Sequence, residues 1–375
     1  MTDMGPNKLR FLFYFIHPSK YHSFRVVINT LRQRGHAVEV AIISKDITES
    51  LVKAEGWEYT NIFPEGRRIP HLHTYISAAI NLIRTLFRLF KFMSRKKYDL
   101  IVTDDLATIV GRIKGIPSVF FTDDDLKAVP ESVILIATAS YILCPSVAYM
   151  GRYSDKKIGY KALKSLAHLH PNHFQPDRSL LDHSLHSAEK DFFLIRCVSV
   201  TSTHDVGKKG LTDEILIKIV DLLKPYGDVV INSQRPLPQD LKKYELNVNK
   251  MHISQYLYFA KLFISDSTTM CAEAAVLGTP AIEIDDWYAD FEQYKLLHND
   301  YGLLYGFSSE DESEILKRIN DLMVMDNLES VFAKKREEFI KNQIDLSAFM
   351  VWMFENYPRS VNDFQKDANL QDRFR

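Results

Sequence analysis

The segment 263–284, FISDSTTMCAEAAVLGTPAIEI, carries the residue types and spacing best suited to binding a phosphorylated ligand. An apolar run leads into Ser265-Asp266-Ser267-Thr268-Thr269, where four of five residues bear short hydroxyl groups. Such residues begin helices, and the first N–H groups of a helix attract anions. Glu273 follows about one turn into the predicted helix, where its carboxylate could accept hydrogen bonds from sugar hydroxyls. The segment predicts a nucleoside-diphosphate site that needs no metal; the alternative is a well-capped helix in an α/β sheet.

Polar residues also follow other apolar runs in the second half of the chain. In 201–210, His204 could donate to a phosphate or act as an acid. Arg235 ends the next run and is a candidate for phosphate or carboxylate contact. The turn around His252 and Ile253 could read a base edge, with Ile253 packing on the ring. Ordinary polar turns remain the alternative at each position.

The first half offers acid–base candidates at predicted strand ends. His17 follows the first strand, Asp105 lies in Thr103-Asp104-Asp105, and Asp123 lies in Thr122-Asp123-Asp124-Asp125. Paired acids beside apolar strands cost electrostatic energy unless they cap helices, bind a cation or transfer protons. Helix capping by one acid from each group is the simplest interpretation, and the alternative is that Asp105 or Asp123 acts as a base or hydroxyl-binding group. Asp123–Asp125 also has the spacing of a DxD motif, which binds a metal ion and a nucleotide. This interpretation is disfavoured, because the nucleotide-like features lie in the second half of the chain.

The predicted helix 72–95 has a different character. Arg84, Arg88, Lys91 and Arg95 recur at intervals of four, three and four, which places them on one narrow stripe. The rest of this helix is mostly Ile, Leu, Phe and Met. Two readings stay open: a solvated face on a buried helix, or a peripheral membrane contact of basic side chains with anionic headgroups.

Apolar runs alternate with amphipathic stretches along most of the chain, which predicts parallel sheets covered by helices. The predicted strands are 9–16, 37–43, 57–62, 98–103, 117–121, 141–144, 191–200, 228–232, 261–264, 280–284 and 301–305. The clearest helices of the first half are 23–34, 72–95 and 126–139.

The polar segment 171–190 interrupts this rhythm and predicts a linker. We therefore expect an N-terminal domain over 1–170, a C-terminal domain over 191–345, and a helix and tail over 346–375 that pack back on the N-terminal domain. The predicted fold is α/β, with two Rossmann-like doubly wound domains facing a central cleft. In such sheets ligands bind beyond the carboxyl ends of the strands.

Composition narrows the class of protein. The 375 residues suit two domains, and 46% apolar with 25% charged content is typical of a soluble globular protein. Lys plus Arg (47) nearly balance Asp plus Glu (48), so we expect no nucleic-acid partner. Cys144, Cys197 and Cys271 lack CxxC spacing and fit a reduced, cytoplasmic protein. With no signal peptide and no long apolar run, the predicted location is the cytoplasm, extending to the inner membrane face if the 72–95 helix binds lipid.

Three stretches of the chain resemble a known family: ISDSTTMCAEAAVLGTPAI, VTSTHDVGKKGL upstream and YGLLYGF downstream. They resemble a bacterial and archaeal family known as a domain of unknown function. That family is similar to the non-hydrolysing UDP-N-acetylglucosamine 2-epimerases and to the N-acetylglucosaminyltransferase of peptidoglycan assembly, which share the GT-B architecture. The resemblance extends from FYFIHPSKYHSFRVVINTLRQRGHAVEVAIISKD to about Phe307.

The resemblance implies roles for individual residues. Glu273 stands where the relatives bind the nucleotide ribose, and Ser267, Thr268, Thr269 and Met270 stand where backbone amides meet the diphosphate. It places the base-binding turn on 252–254, which includes His252 and Ile253. Asp105, Asp123 and His204 fall near the catalytic positions of the epimerases.

The chain departs from the epimerase pattern at three places. Asp123 replaces a glutamate, His204 lacks the arginine-rich run that follows it there, and 283–287 replaces the cluster after LGxP. Nucleotide-sugar binding fits these departures better than epimerisation does.

Three functional hypotheses follow. The leading one is a metal-independent glycosyltransferase of surface polysaccharide or lipopolysaccharide assembly. It would use a nucleoside-diphosphate sugar, UDP-linked by resemblance, and a glycan or lipid-linked acceptor, with no further cofactor. Asp105, Asp123 or His17 would deprotonate the acceptor, while His204 and Arg235 would assist departure of the diphosphate. The alternatives are a nucleotide-sugar 2-epimerase or hydrolase, and a non-catalytic nucleotide-sugar-binding protein.

Overall fold

The computed structural model of the protein describes residues 8–44, 47–66, 74–94, 96–127, 129–186, 191–198, 210–286 and 292–375. The chain forms two compact units. Unit 1 comprises Met1–His168 and Ile344–Arg375, and unit 2 comprises Leu169–Gln343. Each unit is a parallel sheet with helices.

Unit 1 contains a seven-stranded parallel sheet in the order β3-β2-β1-β4-β5-β6-β7. Its strands are β1 (Arg10–Phe15), β2 (Ala37–Ile42), β3 (Thr60–Asn61), β4 (Leu100–Thr103), β5 (Ser118–Phe121), β6 (Tyr141–Pro145) and β7 (Lys157–Tyr160). The helices between them are α1 (Pro18–Gln33), α2 (Thr48–Ala54), α3 (Thr74–Met93), α4 (Ala107–Lys114) and α5 (Val133–Thr138), and α6 (Leu166–Leu169) leads into unit 2.

The central strand of unit 1 shows why the sheet forms where it does. β1, RFLFYF, buries every residue after Arg10, as a parallel strand covered on both faces must. Pro18 then begins α1 at a position where its missing N–H costs no hydrogen bond. The chain runs outward from β1 to β2 and β3, then returns to β4 on the other side. The strand order therefore reverses between β1 and β4.

Unit 2 contains a five-stranded parallel sheet in the order β12-β11-β10-β8-β9. Its strands are β8 (Phe192–Cys197), β9 (Asp228–Ser233), β10 (Leu262–Ser265), β11 (Ala281–Ile284) and β12 (Leu304–Phe307). Its helices are α7 (His183–His186), α8 (Asp213–Leu223), α9 (Ile253–Phe259), α10 (Thr268–Leu277), α11 (Glu292–Asn299), α12 (Glu312–Met323) and α13 (Leu328–Lys341). Here the strand order reverses between β8 and β10.

The C-terminal segment completes unit 1 with α14 (Leu346–Glu355) and α15 (Arg359–Lys366). Asp345 caps α14 by accepting from the Ala348 amide at 2.9 Å. Ser347 Oγ donates to the Ala167 carbonyl at 2.6 Å, and the Phe354 ring meets Phe13 of β1 edge-on. These buried contacts hold α14 against the unit 1 sheet.

The predicted fold class is confirmed: both halves are doubly wound parallel α/β units. Each predicted strand overlaps an observed one, but β7 was missed, because this four-residue edge strand buries only alternate residues and has no long apolar run. The predicted linker 171–190 is part of unit 2 as far as it is described, with Asp182 N donating to Tyr256 Oη of α9 at 2.8 Å.

Candidate functional site

The N-terminus of α10 lies at the point where the strand order of unit 2 reverses. β8 pairs with β9 on one side and β10 on the other, and α10 follows β10 directly. In open α/β sheets ligands bind outside the carboxyl ends of the strands at such a switch point. The hydroxyl-rich loop predicted from the sequence therefore occupies the place in unit 2 where the fold favours a ligand.

Most of α10 is buried, and one side of it stays accessible. Within Cys271–Leu277, every residue except Glu273 is buried. Thr268, Thr269 and Met270 are likewise partly accessible, and Thr269 and Met270 lie four and three residues before Glu273, on the same side of the helix. The structure thus brings together four of the residues predicted to bind a nucleotide.

The first turn of α10 has no side-chain cap from its N-cap residue. Ser267 has extended backbone (φ −121°), and its side chain makes no cap hydrogen bond. By contrast, Thr212 at the start of α8 accepts from the Ile215 amide at 3.3 Å. Ser265 Oγ instead accepts from the Ser267 amide at 3.0 Å, within the loop itself. Unlike those of α8, the α10 amides are therefore not occupied by the hydroxyl expected to cap them.

Asp266 joins the two described ends of the loop between β8 and α8. Its Oδ1 accepts from the Val198 amide at 2.8 Å, and a Cβ added to Gly210 would lie 2.9 Å from its Oδ2. Burial raises the pKa of Asp266 to about 6, although the Val198 amide opposes the shift. His204, predicted as a catalytic residue, lies between these ends and outside the described residues.

A buried carboxyl pair lies behind the α10 N-terminus. Glu283 of β11 has no exposed surface, and burial followed by the charge of Asp285 raises its pKa to about 8. Thr268 Oγ1 donates to Asp285 Oδ2 at 3.4 Å. His298 Nε2 lies 4.0 Å from Glu283 Oε2. Because burial and the charge of Asp285 raise the pKa of Glu283, this pair places less negative charge beside the helix N-terminus than two ordinary carboxylates would.

The other predicted binding residues of unit 2 have different surroundings. Arg235 forms an ion pair with Asp213, and its Nη2 donates to the Leu211 carbonyl at 2.8 Å, so the guanidinium ties the end of β9 to the start of α8. His252 and Ile253 are partly accessible at the start of α9. Because α9 runs back to β10, its N-terminus lies at the carboxyl edge of the sheet, as that of α10 does.

The corresponding edge of unit 1 is built from buried charges. Asp123 follows β5 and accepts from Lys20 Nζ of α1 at 3.1 Å, and Lys164 pairs with its other oxygen. The three side chains are only 8 to 11% exposed. Burial opposes ionisation, but Lys164 and Lys20 together hold the pKa of Asp123 well below its usual range. Asp123 is therefore a fixed anion.

Asp104, which precedes the predicted Asp105, has a carboxyl group with a raised pKa. It follows β4, next to the point where the strand order reverses. Burial raises its pKa to about 7; the charge of Lys20 opposes this shift and that of Asp105 adds to it. Its Oδ1 is buried and has no hydrogen-bond partner among the described residues. A carboxyl group with this pKa exchanges protons readily at neutral pH.

The remaining predictions for unit 1, Asp105 and His17, each accept a hydrogen bond. Asp105 accepts from Tyr14 Oη at 3.2 Å. His17 is the N-cap of α1, and its Nδ1 accepts from the Ser19 amide at 3.3 Å. This places His17 in the capping arrangement that is the usual structural explanation for such a turn.

Sequence reasoning missed three residues of the unit 1 edge. Asp104 directly precedes Asp105, and Lys20 lies three residues after His17, but nothing in the sequence distinguished Asp104 from Asp105. Lys164 had no signal, because it reaches Asp123 from 41 positions away.

The described residues form neither a metal-ion cluster nor a membrane-spanning helix. They contain no group of three or more His, Cys, Asp or Glu side chains placed to hold a metal ion. None of the described helices is both long and apolar enough to cross a membrane.

The fold resembles that of sugar-nucleotide enzymes. The UDP-GlcNAc 2-epimerase from Neisseria meningitidis bound to UDP-GlcNAc superposes with a TM-score of 0.64 at 12% identity, over 95% of this chain and 100% of that one. The spinosyn forosaminyltransferase gives 0.61 at 16% identity, over 96% and 100%. The glycotransferase of kitacinnamycin gives 0.60 at 14% identity, over 93% and 100%. At these identities the likeness establishes the fold alone.

Sequence comparison places the chain in a family. No curated protein matches it. The family model described as "Protein of unknown function (DUF354)" matches residues 16–353. The resemblance found in the sequence motifs, to a family of unknown function with GT-B-like relatives, is thereby confirmed. The chain belongs to the DUF354 family.

Proposed function

We propose that this protein is a metal-independent glycosyltransferase that uses a nucleoside-diphosphate sugar, with UDP as the expected nucleotide. The observation that carries the proposal is the N-terminus of α10. It lies at a switch point, lacks a cap from Ser267, and shares its accessible side with Glu273. The fold shared with a UDP-GlcNAc-bound epimerase supports the choice of ligand.

Donor binding would use the accessible side of α10. The amides of Thr268, Thr269 and Met270 would meet the diphosphate, and Glu273 would accept hydrogen bonds from the ribose hydroxyls. Ile253 and the backbone near His252 would meet the base. The diphosphate charge that grows during transfer would be stabilised by the helix N-terminus, which is why no metal is required in this account.

Proton transfer would use the unit 1 edge. Asp104 would take the proton from the acceptor hydroxyl, since its pKa of about 7 suits a base at neutral pH. Asp123, fixed between Lys20 and Lys164, would hold Lys20 in place. The positive charge of Lys20 would in turn limit how far burial raises the pKa of Asp104. A glycan or lipid-linked acceptor in surface polysaccharide or lipopolysaccharide assembly is the acceptor class that the family resemblance favours.

A 2-epimerase or hydrolase is the second candidate, because UDP-GlcNAc 2-epimerases share the fold. A near-neutral carboxyl such as Asp104 can also exchange a proton on a sugar carbon. The two activities separate experimentally, since an epimerase or hydrolase turns over the nucleotide sugar rapidly with no acceptor present. A glycosyltransferase leaves it nearly intact until an acceptor is added.

A thermal-shift panel of nucleotides and nucleotide sugars tests donor binding. At about a hundredfold excess over the dissociation constant, a ligand of the native state stabilises it by roughly 2.7 kcal/mol. We expect this shift with UDP or UDP-sugars, its loss in Glu273→Ala, and its retention in Glu338→Ala, a matched change of an exposed glutamate on α13. Absence of a shift with every nucleotide would contradict the proposal.

A further inference from the structure

Helix α3 of unit 1 presents an apolar stripe to the outside. Ile76, Ile80, Ile83, Phe87 and Phe90 recur at intervals of four and three, so they lie along one side of the helix. All five are exposed, with Ile83 at 67% and Phe87 at 70%. Over this length the stripe extends about 20 Å. Single exposed apolar residues are ordinary, but a continuous stripe of this length marks an interaction surface.

In the first half of the same helix, the buried side opposite the stripe is polar. Ser77, Asn81 and Thr85 are each less than 10% exposed. Thr85 Oγ1 donates to the Asn81 carbonyl at 2.7 Å, and Asn81 Nδ2 donates to Ser77 Oγ at 3.3 Å. The first half of α3 thus has polar residues inside and large apolar residues outside, the reverse of a solvated helix. Water alone does not account for this arrangement.

The basic stripe singled out in the sequence lies beside this surface. Arg84 and Arg88 both pair with Glu65, at 3.1 Å for Arg84 Nη2 to Oε1 and 3.0 Å for Arg88 Nη1 to Oε2. Both guanidinium groups also lie over the Phe63 ring, 4.8 and 4.1 Å from its centroid. Arg95 lies outside the described residues. Arg84 and Arg88 therefore pack against unit 1. The apolar stripe takes the place of these arginines as the candidate membrane-contacting surface of α3.

Positive charge borders the apolar stripe near its C-terminal end. Lys91 is exposed in the last turn of α3, and Lys114 Nζ of α4 lies 4.1 Å from the centre of the Phe90 ring. Ile113 of α4 is exposed as well, at 67%. The sequences of α3 and α4 contain no Asp or Glu. A surface of apolar side chains bordered only by cations on these helices complements anionic headgroups above acyl chains.

We propose that unit 1 docks on the surface of an anionic lipid bilayer through α3, which lies in the plane of the interface with the stripe from Ile76 to Phe90 inserted. Lys91 and Lys114 contact the headgroups. A lipid surface fits better than a second copy of this chain, because anionic headgroups supply counter-charges for the basic border, whereas α3 and α4 of a second copy contain no Asp or Glu. The inference does not depend on the proposed function.

Vesicle sedimentation tests the proposal. The full chain is mixed with vesicles of phosphatidylcholine alone or with 30% phosphatidylglycerol, and the double variant Ile83→Ser/Phe87→Ser is compared with Ile217→Ser/Val324→Ser. The control pair is exposed on unit 2. We expect binding to the anionic vesicles that weakens with salt, and a loss of at least about tenfold in the α3 variant only, since each side chain withdrawn from the membrane removes its transfer free energy.

Two results would overturn the proposal. One is equal sedimentation of wild type and the α3 variant, or no sedimentation of either. The other is a concentration-dependent dimer in analytical ultracentrifugation that the α3 double variant abolishes, without vesicle binding by wild type. Circular dichroism melts of both double variants confirm that they fold, as expected from the exposure of all four side chains. Nucleotide binding is measured on the same samples, so that failure of membrane docking and failure of the proposed function are told apart.

Discussion

The carboxyl edges of the two sheets share a doubly wound framework and differ in chemistry. Unit 1 brings Asp104, Asp123, Lys20 and Lys164 together as buried charges at the ends of its central strands. Unit 2 has instead a helix N-terminus beside hydroxyls, with Glu273 as the accessible acid of α10. Ionic groups of shifted pKa suit proton transfer, whereas helix amides suit binding of a fixed anion.

The helices that follow the two switch points differ in the same sense. α1 of unit 1 is capped by His17, whose ring accepts from the Ser19 amide. α10 of unit 2 has no such cap from Ser267. The comparison indicates that one fold type can separate acid–base work from anion binding by changing only the residues at its strand ends.

The largest effect is expected from breaking the buried ion group of unit 1. Asp123→Asn leaves Lys20 and Lys164 without a buried counter-charge, which destabilises by about 3–5 kcal/mol. The control Asp372→Asn removes an exposed partner of Lys161 and changes stability by less than about 1 kcal/mol. Calorimetric unfolding of both variants measures the difference. Equal stabilities would mean that the charges of unit 1 are well solvated.

Asp104→Asn sharpens the assignment of the proton acceptor. The folded pKa of about 7 lies above the ordinary 3.8, so the folded protein binds more protons between these pH values. Wild-type stability therefore falls as pH rises from about 4 to 7, and the full loss persists above 7. We expect the variant to gain roughly 2–4 kcal/mol over wild type at pH 8 and much less at pH 4. Melting curves across this range, with Asp228→Asn, an exposed aspartate of β9, as control, test the sign; a variant less stable than wild type at pH 8 would contradict the assignment.

Acid should weaken unit 1 through His22. Burial first, and then Arg25, lowers the pKa of His22 to about 4, and its ring lies 5.0 Å from that of His168. Because the unfolded chain keeps a pKa near 6.5, stability is lost as pH falls from about 6.5 toward 4, by roughly 2–3 kcal/mol. His22→Gln should flatten this part of the stability profile, while His183→Gln, exposed on unit 2, should not. An unchanged slope in His22→Gln would rule out this origin.

Gly210→Ala probes unit 2 with a smaller effect. The added Cβ would lie 2.9 Å from Cβ and Oδ2 of Asp266, so one of the two must shift. We expect a cost of about 1–3 kcal/mol, read by thermal unfolding. Asp266 directly precedes Ser267 at the start of α10, and it also accepts from Val198. A shift of Asp266 should therefore weaken nucleotide binding at α10 as well. Wild-type stability and binding would show that this contact is not needed.

The fold was largely predictable from the sequence, because parallel strands buried on both faces appear as long apolar runs. The strand–helix unit that contains α10 was also predictable from local sequence. A strand, small polar residues, a small-residue helix and Gly278 follow one another within a short stretch. β7 lacked this signal, because its pairing with β6 comes from tertiary context and not from its own composition.

The parts that could not be predicted depend on which way side chains point. Asp104 and Asp105 are neighbours of identical type. Only the packing at the end of β4 buries the carboxyl group of Asp104 and lets that of Asp105 accept a hydrogen bond from Tyr14. Periodicity located the basic stripe of α3 but could not show that Arg84 and Arg88 pack against unit 1, because that packing depends on Glu65 and Phe63 from an earlier segment. Contacts distant in sequence leave no local pattern to read.

In this account, nucleotide binding belongs to unit 2 and proton transfer to unit 1. The most direct test of this separation is a paired measurement on Glu273→Ala and Asp104→Asn. For each, the dissociation constant of UDP is measured by calorimetry, together with the slow release of UDP from a UDP-sugar with water as acceptor. We expect Glu273→Ala to weaken UDP binding by about tenfold or more, and Asp104→Asn to bind UDP as wild type does while losing about a hundredfold in rate. Unchanged UDP binding in Glu273→Ala, or weakened binding in Asp104→Asn to the same degree, would contradict the account.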